Sequence, residues 1–175
     1  MHMPALHILS DDLNHNATLP AIRALLEEHL ADMRAWSPPE SVHALDLDKL
    51  RQSDISFWAV WGEAAPETPG AIAGATPGAT LLGCGALRQL SATHGEVKSM
   101  RTPKALRGRG AARAVLQHIM ATARARGYTR LSLETGSQAP FEAARNLYRQ
   151  HGFSECGPFG DYAPDPNSCF MTREL

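Results

Sequence analysis

Apolar residues at Leu19, Ile22, Leu25, Leu26, Leu30 and Met33 recur three and four positions apart, which predicts an amphipathic helix over 19–34. Thr18 stands before it as an N-cap, and Pro20 falls in the first turn, where a missing N–H costs little. The same period returns at Ala112, Val115, Leu116, Ile119, Met120 and Ala123. Arg124 and Arg126 suit the negative end of that helix, and Gly127 suits its stop. A further helix is predicted over 140–151, with Phe141, Ala144, Leu147 and Tyr148 on its apolar face and Gly152 after it. Between these, Ser37-Pro38-Pro39-Glu40 reads as a capping box with proline at the first helical position, opening a shorter helix that carries Val42, Leu45 and Leu50.

Strands are predicted over 6–9, 55–61, 80–90, 95–102 and 128–134, from 153, and over 168–172. The second is rich in aromatic and β-branched residues. In the third, Gly83 and Gly85 either weaken the strand or let another group approach closely. Residues 62–79, mostly Ala, Gly, Pro and Thr, keep no period and are expected to form a long flexible hairpin loop. Glycines and prolines around Phe159, Asp161 and Tyr162 make 157–167 a loop as well. The order β-α-α-β-β-β-α-β-α-β-β predicts one α/β domain over 1–175, with a mixed sheet and a meander in the middle.

Composition narrows the class. A 175-residue chain with 43% hydrophobic and 20% charged residues can bury a real core and is not disordered. A net charge of -1 gives no global basic field, which argues against nucleic acid as a partner. Cys84, Cys156 and Cys169 lack a Cys-x-x-Cys spacing and read as reduced thiols. The histidines show no ligand spacing, so no metal is expected. With neither a charged, apolar leader at the start nor a run of roughly 20 apolar residues, a soluble cytoplasmic protein is expected.

The chemistry concentrates at Arg107-Gly108-Arg109-Gly110-Ala111-Ala112, between a predicted strand and the alanine-rich helix. Backbone N–H groups at such a helix start suit a phosphate. Arg101, Lys104, Arg107, Arg109 and Arg113 surround the turn, and no acidic residue lies between 101 and 113. A pyrophosphate is the expected occupant. No lysine follows the glycines as a P-loop requires, and Arg113 stands where a dinucleotide fingerprint needs its third glycine. A purely structural glycine turn leaves the five basic residues unexplained.

Arg107-x-x-Gly110-x-Ala112 matches the Gln/Arg-x-x-Gly-x-Gly/Ala acyl-CoA motif. Residues 145–153, Arg-Asn-Leu-Tyr-Arg-Gln-His-Gly-Phe, look like a second signature, Ala/Arg-x-Leu-Tyr-x-x-x-Gly-Phe. On these two motifs and the element order, the chain resembles the GNAT superfamily of acetyl-CoA-dependent N-acetyltransferases over nearly its whole length. Residues 37–41, 158–162 and 165–168 look more narrowly like a bacterial YsnE-type branch. The resemblance implies a GNAT-like fold, a mixed, mostly antiparallel sheet with splayed central strands flanked by helices. It implies that Arg107, Gly108, Arg109, Gly110, Ala111 and Ala112 take the pyrophosphate of acetyl-CoA, and that the Met100 and Thr102 backbones pair with pantetheine. The Met100 N–H would polarise the thioester, Tyr148 would protonate the leaving thiolate, and Glu96 would be the base, with Glu134 a weaker alternative. Many relatives carry an asparagine where this chain has Phe141, so that contact is not carried over, and Asn146 is a weak substitute.

By the same resemblance, the first two helices line the acceptor site and 157–167 forms its lid, which draws attention to Arg34, Trp36, His43, Asp161 and Tyr162. A small-molecule amine is the expected acceptor. A protein lysine or N-terminus, and a non-catalytic CoA sensor, are the alternatives. The exposed third strand and the last strands would pair between subunits in a homodimer.

Overall fold

The computed structural model describes residues 6–10, 13, 18–44, 46–63 and 79–175. Its elements follow one another as the periodicity predicts: β1 (Leu6–Ser10), α1 (Leu19–Trp36), α2 (Leu47–Leu50), β2 (Ile55–Glu63), β3 (Ala79–Gln89), β4 (His94–Arg101), α3 (Ala111–Ala125), β5 (Arg130–Gly136), α4 (Glu142–Gln150), β6 (Ser154–Cys156) and β7 (Ser168–Glu174). Seven strands form one sheet in the order β1-β2-β3-β4-β5-β7-β6. Every pairing is antiparallel except β4 with β5. The α/β class, with a mixed and mostly antiparallel sheet, is therefore the one expected.

Helices cover both faces of the sheet. Trp58, Val60, Leu87, Val97, Leu131, Leu133 and Met171 pack with Val115, Leu116 and Ile119 of α3 on one side. On the other, Phe57, Ala59, Trp61, Cys84 and Ala86 pack with Ile22, Leu25 and Leu26 of α1 and Leu50 of α2. Successive residues of β2 serve opposite cores, as the two-residue strand period requires.

Several expectations need correction. The short helix predicted from Ser37 is two pieces, a 3-10 turn at Pro39–Ser41 and α2, whose N-cap Asp46 accepts the Lys49 N–H at 2.9 Å. Ser37 instead closes α1, its N–H donating to the Met33 carbonyl, because the residue before a proline is driven to extended backbone. Leu45 lies outside the described residues. So does most of the predicted 62–79 loop, although Gly62, Glu63 and Ala79 belong to strands. β5 starts at Arg130 and not at Tyr128, whose N–H donates to the Ala123 carbonyl at 2.9 Å, just after Gly127 in the left-handed region. The third strand is not at an edge: β3 is paired on both sides, and among the described residues the edges of the sheet belong to β1 and β6.

Gly83 and Gly85 mark close approach. A Cβ on Gly83 would stand 2.8 Å from the Arg101 carbonyl oxygen, and one on Gly85 would stand 2.7 Å from Met100 Sδ. Backbone cannot step aside and a methionine tip can. Gly83→Ala is therefore expected to lower stability by about 1–3 kcal/mol in denaturant melts, and Gly85→Ala by less.

Candidate functional site

The site begins where two parallel strands part. His94 to Val97 of β4 pair with Arg130 to Leu133 of β5, and then the register ends although both strands continue. Residues 98–101 and 134–136 so form the walls of a gap. A bulge sits on the β4 wall: Cys84 pairs with Arg101 and Ala86 with Lys98, so β4 carries one residue more than β3 across that interval. Ser99 takes the strain with φ 53, in the left-handed region. The extra residue resets the alternation. Met100 then joins the α3 face, against Val115 and Ile119 at Gly85, while Arg101 turns to α1.

Cys84 holds the bulge from behind, its thiol 3.4 Å from the Ser99 carbonyl oxygen. Burial pushes that thiol up to about 12, so it stays a donor. Across a trans peptide, the Met100 N–H points opposite to the Ser99 carbonyl, and hence away from Cys84 toward the gap left by β5.

The gap continues into a cleft of about 1140 Å³ that runs from the start of α3 to the ends of α1 and α4. At one end, Gly108 and Gly110 have φ of 79 and 84, which lets the chain turn sharply into α3. Gly110 is the N-cap and offers no side chain, and the first helical bond in the turn runs from the Ala114 N–H to the Gly110 carbonyl. The N–H groups of Ala111, Ala112 and Arg113 are thus left without a helical acceptor at the positive end of a 15-residue helix. Arg107, Arg109 and Arg113 line this end with Thr102 and Met100. The five basic residues do not act together, however. Arg101 Nη2 is held by Glu28 at 2.5 Å and Asp32 at 2.6 Å, and Lys104 by Asp32 at 2.9 Å. These two bolt α1 to the end of β4, and three arginines remain for an anion.

The second signature proves to be a joint. Arg145 is buried, and its Nη1 donates to the carbonyls of Gly136 at 2.5 Å and Gln138 at 3.1 Å. That ties α4 to the end of β5 and sets Tyr148 at the cleft, 5% exposed and edge-on to Phe153. Burial first, and the nearby Glu134 charge second, raise the Tyr148 phenol well above its ordinary range. It is held protonated. The role of Arg145 was legible only as the first letter of the motif.

Glu96, expected as the base, does not line the cleft. It is 1% exposed, and its Oε1 takes hydrogen bonds from Tyr162 at 2.6 Å and Lys98 at 3.0 Å. Tyr162 is also 2.8 Å from Lys98 and edge-on to His43. The loop 157–167 is accordingly a buttress tied to β4, none of its residues lining the cleft, and it is pinned further by Asn167 on Ser41 at 3.4 Å. Arg34, Asp161 and Tyr162 lie outside the lining, whereas Trp36 and His43 belong to it. Asn146 is spent on Arg149 at 3.0 Å. Phe141 lines the cleft, edge-on to Trp36 at 5.6 Å, so the place of the relatives' asparagine is an aromatic wall. Glu134, the weaker alternative, lines the cleft and accepts from Ser168 Oγ at 2.7 Å. His29 Nδ1 and Arg101 Nε are buried there without a hydrogen-bond partner among the described residues. Those residues contain no cluster of side chains able to hold a metal, and no helix long and apolar enough to cross a membrane.

Comparison with known proteins agrees with this geometry. The model of the acetyltransferase (GNAT) family matches residues 22–153. The chain is 49% identical to the uncharacterized N-acetyltransferase YsnE of Bacillus subtilis (strain 168), over 97% of this chain and 100% of that one. It is 45% identical to the uncharacterized N-acetyltransferase YedL of Escherichia coli (strain K12), over 96% of this chain and 94% of the other. Among solved structures, an acyl-CoA N-acyltransferase from Klebsiella pneumoniae superposes with a TM-score of 0.68 at 26% identity, covering 97% of each chain.

Two buried groups set an acid sensitivity. Burial, and then Arg101, lower His29 from 6.5 to about 4, so the unfolded chain binds the extra proton between those values. Burial alone would raise Asp32, but the hydrogen bonds from Lys104 and Arg101 outweigh it and hold the carboxyl below 3.8. The melting temperature is therefore expected to fall from pH 6.5 toward pH 4 and to fall again below pH 3.8. His29→Gln should flatten the upper step and leave the lower one.

Proposed function

Since the chain belongs to the acetyltransferase (GNAT) family and is an acetyl-CoA-dependent N-acetyltransferase, we propose that its acceptor is the primary amine of a small molecule, which attacks the thioester directly. The observation that carries this reading is a single cleft joining the uncapped start of α3 to Tyr148 through the gap between β4 and β5. Acetyl-CoA supplies the activated acyl group. In this proposal the N–H groups of Ala111, Ala112 and Arg113, with Arg107 and Arg109, hold its pyrophosphate, and Gly108 and Gly110 keep Cβ atoms out of the way. The exposed edge of β4 at Met100 and Thr102 pairs with the pantetheine amides in place of β5. The Met100 N–H, turned outward by the bulge, steadies the negative charge that builds on the thioester oxygen. Tyr148 gives its proton to the departing sulfur, a task suited to a phenol kept neutral by burial.

A small acceptor is favoured because Met33, Trp36, Pro140 and Phe141 give the cleft an apolar wall against which a compact body can seat. We place the reaction in the cytoplasm, where acetyl-CoA is made and spent.

Two measurements test the reading. CoA is expected to raise the melting temperature of the wild type, and Gly110→Val, which puts a branched side chain at φ 84, should abolish that shift. With an amine panel and thiol release as the signal, Tyr148→Phe should lower kcat by about 100-fold while CoA binding persists. Turnover of peptides alone would reject the small-molecule acceptor, and unchanged turnover in Tyr148→Phe would remove the tyrosine from the chemistry.

A further inference from the structure

We infer that Glu134 binds and deprotonates the acceptor, and that the acceptor is a primary amine with an aromatic or apolar body seated against Trp36 and Phe141. The inference rests on the acetyl-transfer reading above and assigns the half of the cleft that acetyl-CoA does not fill.

Charge distribution carries the first step. Among the described residues that line the cleft, Glu134 is the sole carboxylate. It stands at the first position of β5 beyond the last pair with β4, so the divergence of the strands is what brings it to the cleft. It also shares that cleft with Tyr148, whose phenol feels its charge. The arginines available to an anion lie at the opposite end, beside the start of α3. Arg101 also lines the cleft, but its guanidinium is engaged by Glu28 and Asp32. An ammonium group therefore has one favourable place to go.

Shape carries the second step. Trp36 and Phe141 meet edge-on, and Phe141 is pressed so closely on Gly136 that no Cβ fits between them. The wall is rigid, aromatic and continuous with Met33 and Pro140. An aryl or alkyl body gains by leaving water there. A second cationic amine gains nothing.

Glu96 is less well placed for this task, because Lys98 and Tyr162 occupy its Oε1, its Oε2 is buried, and it is not among the residues that line the cleft. Its charge nevertheless reaches Glu134 from β4. The other groups facing Glu134 are Lys98 on β4, Ser168 on β7, His43 before α2, Tyr148 on α4 and Tyr162 on the buttress loop. Burial raises the Glu134 carboxyl, the Ser168 hydrogen bond together with His43 and Lys98 opposes that, and the Glu96 charge adds to it. A carboxylate with a raised pKa is a stronger base than an exposed one.

The step balances as follows. Glu134 takes one proton from the ammonium, and the freed nitrogen lone pair attacks the thioester carbon. As the C–N bond forms and the C–S bond breaks, the sulfur takes the phenolic proton of Tyr148. The second nitrogen proton restores the phenol, and Glu134 releases its own to solvent. Amide, free CoA thiol and one proton result.

The test uses the full chain, acetyl-CoA and three acceptors: phenethylamine, spermidine and phenylalanine. Phenethylamine is expected to be acetylated with kcat/KM at least ~10-fold above the other two. Glu134→Gln should lower kcat by about 100-fold or more while the CoA-induced thermal shift, which also reports folding, is kept. In the wild type, kcat should fall on the acid side at a pH above the ordinary carboxylate range, as Glu134 takes up its proton. Should Glu134→Gln fail to fold, that acid limb decides, and its absence overturns the role of Glu134. Full activity in a folded Glu134→Gln overturns it too, and a preference for phenylalanine or spermidine overturns the acceptor class. Loss of the CoA shift in the wild type strikes the acetyl-transfer reading instead, so the two failures are distinguishable.

Discussion

Everything at the site depends on β4 and β5 ceasing to pair after Val97 and Leu133. A parallel pair in the middle of a sheet would ordinarily satisfy its backbone groups to the strand ends. Here those groups are left facing a gap, and an extended, amide-bearing chain such as pantetheine fits that need. The gap is held open from both sides. On the β4 side, Arg101 is anchored to Glu28 and Asp32 of α1. On the β5 side, Arg145 of α4 is anchored to the carbonyls of Gly136 and Gln138. Each anchor is a buried guanidinium, expensive to bury and stable only while its partners remain.

The bulge at Ser99 adds direction to the opening. One additional residue turns Met100 toward α3 and Arg101 toward α1, so the same three residues shape the cleft wall and tie down the helix behind it. Gly83 and Cys84 on the neighbouring strand are matched to that bulge, the first by lacking a Cβ and the second by a thiol that reaches the Ser99 carbonyl. A strained residue, a glycine and a cysteine on two strands form one device.

Charge is sorted along the cleft in the same way. Three arginines and an uncapped helix start occupy one end, and a lone carboxylate occupies the other among the described lining residues. The middle is left to a neutral phenol. Positive and negative groups are thereby separated along the cleft, and Glu96 and Lys98, paired with each other on β4, act on Glu134 with opposite signs.

What the chain determined by itself is the part that local rules govern. The helical period at 19–34 and 111–125, the glycine turn at 108–110 and the Arg-x-Leu-Tyr signature belong to neighbours in sequence, so element order, fold class and the uncapped start of α3 were legible before any contact was known. The helix expected from Ser37 is broken in two because Ser37, standing before a proline, is driven to extended backbone and closes α1 instead. Tertiary structure alone decided which charges are free. Arg101 and Lys104 look identical to Arg107 and Arg109 in a list of basic residues, yet α1, some seventy positions away, neutralises the first two. The different surroundings of Glu96 and Glu134 have the same origin. Both sit on the central strands, and only the place where those strands part leaves one buried in the paired region and sets the other on the cleft. Strand divergence is a long-range balance of packing and ion pairs, and a period of two along the sequence carries no trace of it.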